Sequence, residues 1–218
     1  MTFTPLEIRT GLLLDLALNA YPTMVYGWSH ATLALSEGAT HFGIVTEGEI
    51  VLKERSGEYR LKAGMFFVCP SDGVIEGEFG RGLVLSRLAY RGLRQLGGPL
   101  EAEGRLQYID GCTDTLLVCP PRLGEPCLNH LHIPPYTNQS PHTHPSERIG
   151  VILAGCGECR TPEGVFTLRP GTGWWIPTGC LHSFYTQKEA LDVVAWHPDS
   201  DFGPTDANHP MRNKTILA

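Results

Sequence analysis

Three imidazoles in two short segments are the residues of this 218-residue chain best placed to do chemistry. His142 and His144 stand two apart in Pro141-His142-Thr143-His144-Pro145-Ser146-Glu147-Arg148. His182 closes the run Gly171-Thr172-Gly173-Trp174-Trp175-Ile176-Pro177-Thr178-Gly179-Cys180-Leu181-His182. Successive residues of a strand point to opposite faces, so an extended His-x-His puts both rings on one side, where they can share an ion. Three nitrogen ligands with open positions opposite suit iron, zinc, nickel or copper, and a carboxylate extends the choice toward manganese. Glu147 is the nearest carboxylate, and it reaches the ion if a bulge re-aims the strand.

The elements that must position these rings read as β-structure. Gly171, Pro177 and Gly179 mark turns around the apolar strand Trp174-Trp175-Ile176. Phe42-Gly43-Ile44-Val45, Glu49-Ile50-Val51-Leu52, Phe66-Phe67-Val68, Leu116-Leu117-Val118, Val151-Ile152-Leu153 and Leu191 to Trp196 are short, rich in β-branched and aromatic residues, and bounded by turn formers. That pattern predicts an all-β sandwich or barrel. Leu6 to Ala20 fits either a short helix or a first strand.

The two histidine segments resemble the two motifs of the cupin superfamily. The second motif of that superfamily runs Gly, five residues, Pro, x, Gly, two residues, His, and Gly171, Pro177, Gly179 and His182 match each fixed position. The first motif is matched at His142, His144 and Gly155. Tyr136 stands where its leading Gly is expected, and Arg148 occupies the place of its Glu ligand. At a constant offset of 107, Gly43, Gly48, Gly64 and Pro70 fall on Gly150, Gly155, Gly171 and Pro177. The chain is therefore read as a bicupin, two jelly-roll β-barrel repeats: residues 1–105 degenerate and metal-free, residues 106–218 metal-binding with an ordered C-terminal tail. In the first repeat Leu35, Glu37, His41 and Ile75 replace His142, His144, Arg148 and His182.

Other residues can line a pocket beside the ion. His130 and His132 form a second His-x-His, and His132 is a candidate proton carrier or second-layer donor. Arg148 in place of a carboxylate can hold an anionic substrate bidentately. Tyr136 and Tyr185 offer phenols for acid/base work, and Trp174, Trp175 and Trp196 read as core or pocket wall. Catalytic roles are assigned to Tyr136, Arg148 and His132, and metal ligation to His142, His144, His182 and Glu147.

A net charge of −6 with scattered Lys and Arg argues against a nucleic-acid surface. No run has the length of a membrane-spanning helix, and Met1 to Glu7 lacks the order of a signal peptide, so a cytoplasmic protein without membrane contact is expected. Seven cysteines, an odd number, read as reduced thiols, Cys156-Gly157-Glu158-Cys159 included. The segment after Trp196 is expected to pack through Phe202, Met211, Ile216 and Leu217.

The resemblance implies dioxygenases, isomerases, lyases, decarboxylases and ligand sensors alike, and fold alone does not choose among them. Three neutral imidazoles without a Glu are similar to the thiol dioxygenase branch of the superfamily. That favours a non-haem iron dioxygenase acting on a small polar or anionic molecule, with one divalent transition metal, iron before zinc, nickel, manganese or copper. A Lewis-acid isomerase, lyase or hydrolase and a non-catalytic small-molecule binder remain open. The resemblance also implies a homodimer.

Overall fold

The computed structural model describes residues 2–212, 215 and 216. Met1 and the anticipated tail anchor Leu217 lie outside them. Short apolar runs punctuated by glycine and proline form strands throughout. The first half comprises β1 (Thr4–Glu7), β2 (Gly11–Leu16), β3 (Thr23–Ser29), β4 (Leu33–Leu35), β5 (Ala39–Glu54), β6 (Gly57–Lys62), β7 (Phe66–Cys69), β8 (Gly73–Leu88) and β9 (Gln95–Gly97). The second comprises β10 (Leu106–Gln107), β11 (Thr113–Val118), β12 (Cys127–Ile133), β13 (Arg148–Thr161), β14 (Gly164–Leu168), β15 (Thr172–Ile176) and β16 (Ser183–His197). The ambiguous N-terminal stretch is thus two strands and not a helix. Among the described residues no helix is long and apolar enough to cross a membrane.

Two eight-stranded sheets result. One runs β2-β3-β8-β5-β7-β9 with β4 on β8 and β6 on β5; the other runs β1-β15-β13-β16-β12-β11-β10 with β14 on β13. Strand β1 crosses over to extend the second sheet, pairing Leu6 with Gly173. Neither order returns to its first strand, so the two closed barrels expected from the sequence are not found among the described residues.

The stretch that would carry the His-x-His strand forms no continuous ladder: it makes the isolated bridges Asn138 to Tyr185 and His142 to His182 and scattered backbone hydrogen bonds such as Gln139 N–H to the Phe184 carbonyl at 3.0 Å. Pro134, Pro135, Pro141 and Pro145 withhold the amide hydrogens a longer ladder needs. His142 and His144 therefore sit on an irregular segment, and strand alternation does not bring them together.

The hairpins have related registers. β5 and β7 pair Phe42 with Val68 and Gly43 with Phe67, while β13 and β15 pair Ile149 with Trp175 and Gly150 with Trp174. Gly48 and Gly155, at φ 70° and 77°, sit in the long strands β5 and β13. A Cβ at Gly48 would collide with the Phe79 carbonyl oxygen, and one at Gly155 with that of Ala190. Only glycine combines the left-handed conformation with that close approach.

The sheets pack on each other through one shared apolar layer, with Phe42, Ile44, Leu83 and Leu85 from the first against Ile149, Val151, Val194 and Trp196 from the second. Each fully buried side chain of this size contributes about 1.5–3 kcal/mol. The opposite face of the first sheet is filled by Trp28, Phe67, Ile75 and Val84. The opposite face of the second is less completely filled, and the candidate site lies there. The C-terminal tail departs from expectation, for Phe202, Met211 and Ile216 are 60%, 77% and 94% exposed.

Candidate metal centre

The Pro-x-Gly turn of the second segment organises the histidines. Cys180 N–H donates to the Pro177 carbonyl at 3.1 Å, closing a four-residue turn whose third member, Gly179, has φ 71°. A type II turn demands such a residue there. Gly179 N–H then donates to the His144 carbonyl at 3.0 Å, while His142 and His182 exchange backbone hydrogen bonds of 2.9 and 3.0 Å. One turn and one bridge therefore fix all three backbones.

The rings converge. His142 and His182 have centroids 4.5 Å apart, and His144 lies 5.0 and 5.1 Å from them. One nitrogen from each falls within 4.8 Å of the other two. His142 Nδ1 is 2.9 Å from the Ser140 carbonyl and His182 Nδ1 is 2.9 Å from the Cys180 carbonyl. A carbonyl only accepts, so Nδ1 carries the proton in both rings and the lone pair is on Nε2. Burial drives the His182 pKa down to about 4, and burial with the nearby Arg148 charge drives His144 to about 3. Both are neutral near pH 7, the form that ligates. The donor set fits a divalent transition metal on its own chemistry.

These rings stand at a cavity of about 380 Å³. Trp174, Ile176, Phe184 and Leu131 supply apolar wall, and Tyr108, Asp114, Asn129, Gln139, Arg148 and His197 supply polar groups. Arg148 Nη1 donates to Ser146 Oγ at 2.6 Å and to the carbonyls of Ser146 and Glu147 at 3.2 and 3.1 Å. All three partners are neutral, but Ser146 Oγ itself donates to Asp199 Oδ1, so the Asp199 carboxylate stands one hydroxyl away and offsets the guanidinium charge.

Glu147, offered as a fourth ligand, is not in the cluster. The β13 to β15 register is regular from Arg148 onward, so no bulge re-aims the strand, and Glu147 points to the face opposite Arg148. Its Oε2 accepts from Asn19 Nδ2 at 3.0 Å, and burial raises its pKa. Alternation also removes His132. Asn129 and Leu131 face the cavity, so His130 and His132 point away and both meet Asp192 Oδ1, at 3.0 and 2.9 Å. Tyr136 is 76% exposed with φ 62° and does not line the cavity. Tyr185 lies under the Arg160 guanidinium, 3.6 Å from the ring centre, outside the cavity. All seven cysteines are free, and Cys180 packs into the apolar layer of the second sheet.

Sequence reasoning passed over Tyr108, Asp114, Asn129, Gln139 and His197. Asp114 and Asn129 had a readable signal, as polar residues inside the strand-like runs of β11 and β12. Asn129 Nδ2 donates to Asp114 Oδ1 at 2.8 Å, and Asn129 Oδ1 lies 3.0 Å from His197 Nε2. Burial raises the Asp114 pKa and lowers that of His197 to about 4.

A family model described as the AraC-like ligand binding domain matches residues 131–197, the stretch that contains all three histidines. No curated protein matches the chain. Among solved structures, the chain is similar to a cupin 2 conserved barrel domain protein from Leptotrichia buccalis, with TM-score 0.63 and 12% identity over 90% of this chain and 88% of that one. AerE from Microcystis aeruginosa gives 0.63 and 15% over 90% and 97%. Salicylate 1,2-dioxygenase from Pseudoaminobacter salicylatoxidans, solved in complex with gentisate, gives 0.64 and 11% over 88% and 74%. At these identities the likeness shows the fold, which is that of cupin proteins.

Proposed function

We propose that this chain is a metal-dependent enzyme acting on a small polar or anionic molecule, with non-haem iron dioxygenation as the leading reaction. The observation that carries the reading is the convergence of His142, His144 and His182 on one side of a cavity that Arg148 also lines. A redox-active ion there supplies dioxygen activation, and a redox-inert one supplies Lewis acidity. The protein's own groups supply the rest. Arg148 holds an anionic group of the substrate through the guanidinium nitrogens that Ser146 and Glu147 leave free. Trp174, Ile176 and Phe184 exclude water from the space between. Burial raises the Tyr108 pKa, so its hydroxyl stays protonated and donates to a substrate oxygen. The salicylate dioxygenase among the structural relatives supports oxygenation over Lewis-acid chemistry.

The related hairpin registers support reading the chain as a bicupin, with residues 1–105 a metal-free repeat and 106–218 the active one. A cytoplasmic homodimer is the setting we infer for it. A second reading, a non-catalytic small-molecule sensor, is favoured by the AraC-like match over residues 131–197.

The test is elemental analysis of protein from a metal-balanced host, beside a variant with His142→Ala, His144→Ala and His182→Ala. Near-stoichiometric iron lost in the variant, with dioxygen uptake driven by small carboxylates, is the expected result. Metal content unchanged in the triple variant would overturn the site. Zinc, nickel or manganese without dioxygen uptake would replace oxygenation by Lewis-acid chemistry, and no metal would leave the sensor.

A further inference from the structure

Asp110 has φ 55° and ψ 34°, its neighbour Gly111 has φ 79°, and Cys112 N–H donates to the Ile109 carbonyl at 3.1 Å. Two consecutive positive φ values inside a four-residue turn make it type I′, and Asp-Gly is one of the few dipeptides suited to that turn. The turn joins β10 to β11, which pair Leu106 with Asp114 and Gln107 with Thr113. Strand β10 ends its sheet and has no second neighbour. Leu106, Gln107 and Tyr108 line the cavity from this edge, yet Leu106 is 62% exposed. The hairpin is therefore a thin wall between the cavity and solvent, held by a two-residue ladder.

Its tip is tied to the histidine segment. Ser140 N–H donates to Asp110 Oδ2 at 2.6 Å, and Ser140 Oγ donates to Asp110 Oδ1 at 3.1 Å. The carbonyl of the same Ser140 accepts the Nδ1 proton of His142 at 2.9 Å. The rings are unequally anchored. His182 leans on the Cys180 carbonyl inside the Pro-x-Gly turn, where both residues are buried. His142 leans on an exposed residue outside any ladder, and the amide and hydroxyl of that residue are both committed to Asp110. Groups that orient a ligating imidazole through its second nitrogen govern how well the first one binds.

We infer that Asp110 is a positioning residue for His142, and that its two bonds to Ser140 make closure of the β10–β11 hairpin over the cavity and organisation of the metal site one coupled event. The inference rests on the reading of the three histidines as metal ligands. Exposed, charge-assisted hydrogen bonds of this kind can open for a ligand to enter and are directional enough to set His142 when closed. The coupling is reciprocal: a hairpin that steadies the ion is steadied by it.

Two substitutions that both suit a type I′ turn separate the latch from the backbone. Asp110→Gly removes both bonds. Asp110→Asn keeps both, its Oδ1 accepting from the Ser140 amide and its Nδ2 donating to Ser140 Oγ. Cobalt(II) is titrated without oxygen into each chelator-treated, full-length chain, and the His142→Ala, His144→Ala, His182→Ala variant gives the background from thiols. The visible absorption of the bound ion reports its coordination geometry. Amide hydrogen exchange over residues 106–111 is then compared with and without zinc. Asp110→Gly should bind cobalt about tenfold or more weakly, with an altered spectrum, and Asp110→Asn should restore most of both. Zinc should slow exchange in the hairpin of the unaltered chain and of Asp110→Asn, and leave that of Asp110→Gly unchanged, although no hairpin residue is a ligand. Thermal melts confirm folding.

Unchanged affinity and spectrum in Asp110→Gly, failure of Asp110→Asn to restore them, or hairpin exchange indifferent to zinc would overturn the inference and leave the three-histidine site standing. If the unaltered chain binds no cobalt above the background, the site falls and the inference with it.

Discussion

The two sheets offer the same positions to different side chains, and the difference explains why one interior is packed and the other hollow. In the first sheet Val45 pairs with Gly82, which pairs with Trp28; in the second Ile152 pairs with Val193, which pairs with Leu131. Two positions along, the row Gly43, Val84, Tyr26 answers to Gly150, Ala195, Asn129. Trp28 is fully buried, and a Cβ at Gly82 would collide with its indole. Where that indole fills the first interior, the second has Leu131, Ala195 and Asn129, all lining the cavity. Space for a ligand is thus made by three smaller side chains in a framework of matching register. The polar groups follow the same division: Ile75 and Leu35 are core residues, whereas His182 and His142 are candidate ligands.

The sharpest way to break this comparison is to move the filler across. Leu131→Trp with Val193→Gly rebuilds the Trp28 and Gly82 pair in the second sheet. The indole should occupy the cavity, and binding of small carboxylates should fall tenfold or more while the three-histidine cluster still takes metal. Titration calorimetry beside elemental analysis separates the two effects. Undiminished carboxylate binding in the double variant would show that the cavity is not the ligand site.

The reverse exchange comes next in size. Trp28→Leu hollows the first interior, and large-to-small changes of this kind cost about 2–4 kcal/mol from lost transfer energy and the cavity left behind. Urea unfolding should show that loss with an unchanged metal content. A loss below about 1 kcal/mol would mean that the first interior collapses readily and is not set by its indole.

A smaller, symmetric effect tests whether the two long strands obey the same backbone constraint. Gly48→Ala and Gly155→Ala each put a Cβ against a carbonyl oxygen at positive φ. Each should cost about 1–3 kcal/mol. If one variant is tolerated and the other is not, the strands are less alike than their registers.

The sequence made much of this legible, for a physical reason in each case. Turn chemistry at Gly171, Pro177 and Gly179 is local, so the element that fixes the histidines could be read directly. The strands announced themselves because they are short and bounded by turn formers. The face of a strand was harder: the even positions of β12, His130 and His132, attract attention as chemistry, yet the odd positions Asn129 and Leu131 face the cavity. Polar character does not reveal which side a strand shows to the interior. Glu147 misled for the same reason, since one residue along β13 separates a buried carboxylate held by Asn19 from the Arg148 that lines the site. The matching of rows across the sheets was legible only in part. The fixed offset carries β5 and β7 onto β13 and β15, but β8 and β16 need four more residues, and an ungapped comparison cannot reach Trp28 and Leu131.

The least of the expected effects separates the two interiors by pH. His41 stands where the second sheet has Arg148, buried with Nδ1 2.7 Å from Ser86 Oγ and Nε2 2.9 Å from the Ser36 carbonyl, and burial lowers its pKa. In the second sheet His144 and His182 are lowered further, to about 3 and about 4. Each ring has a folded-state pKa below its unfolded value near 6.5, so the unfolded chain binds more protons in the window between the two. The stability these neutral rings preserve is therefore present above about pH 6.5 and is lost as pH falls toward 4. Metal-free protein should grow less stable over that window in denaturant unfolding. Replacing His142, His144 and His182 by alanine should flatten the largest part of the slope, His197→Gln, whose ring burial lowers to about 4, a further part, and His41→Gln a lesser one. A slope governed chiefly by His41 would place the dominant acid-sensitive group in the packed interior and reverse the assignment of the hollow one as the titrating half.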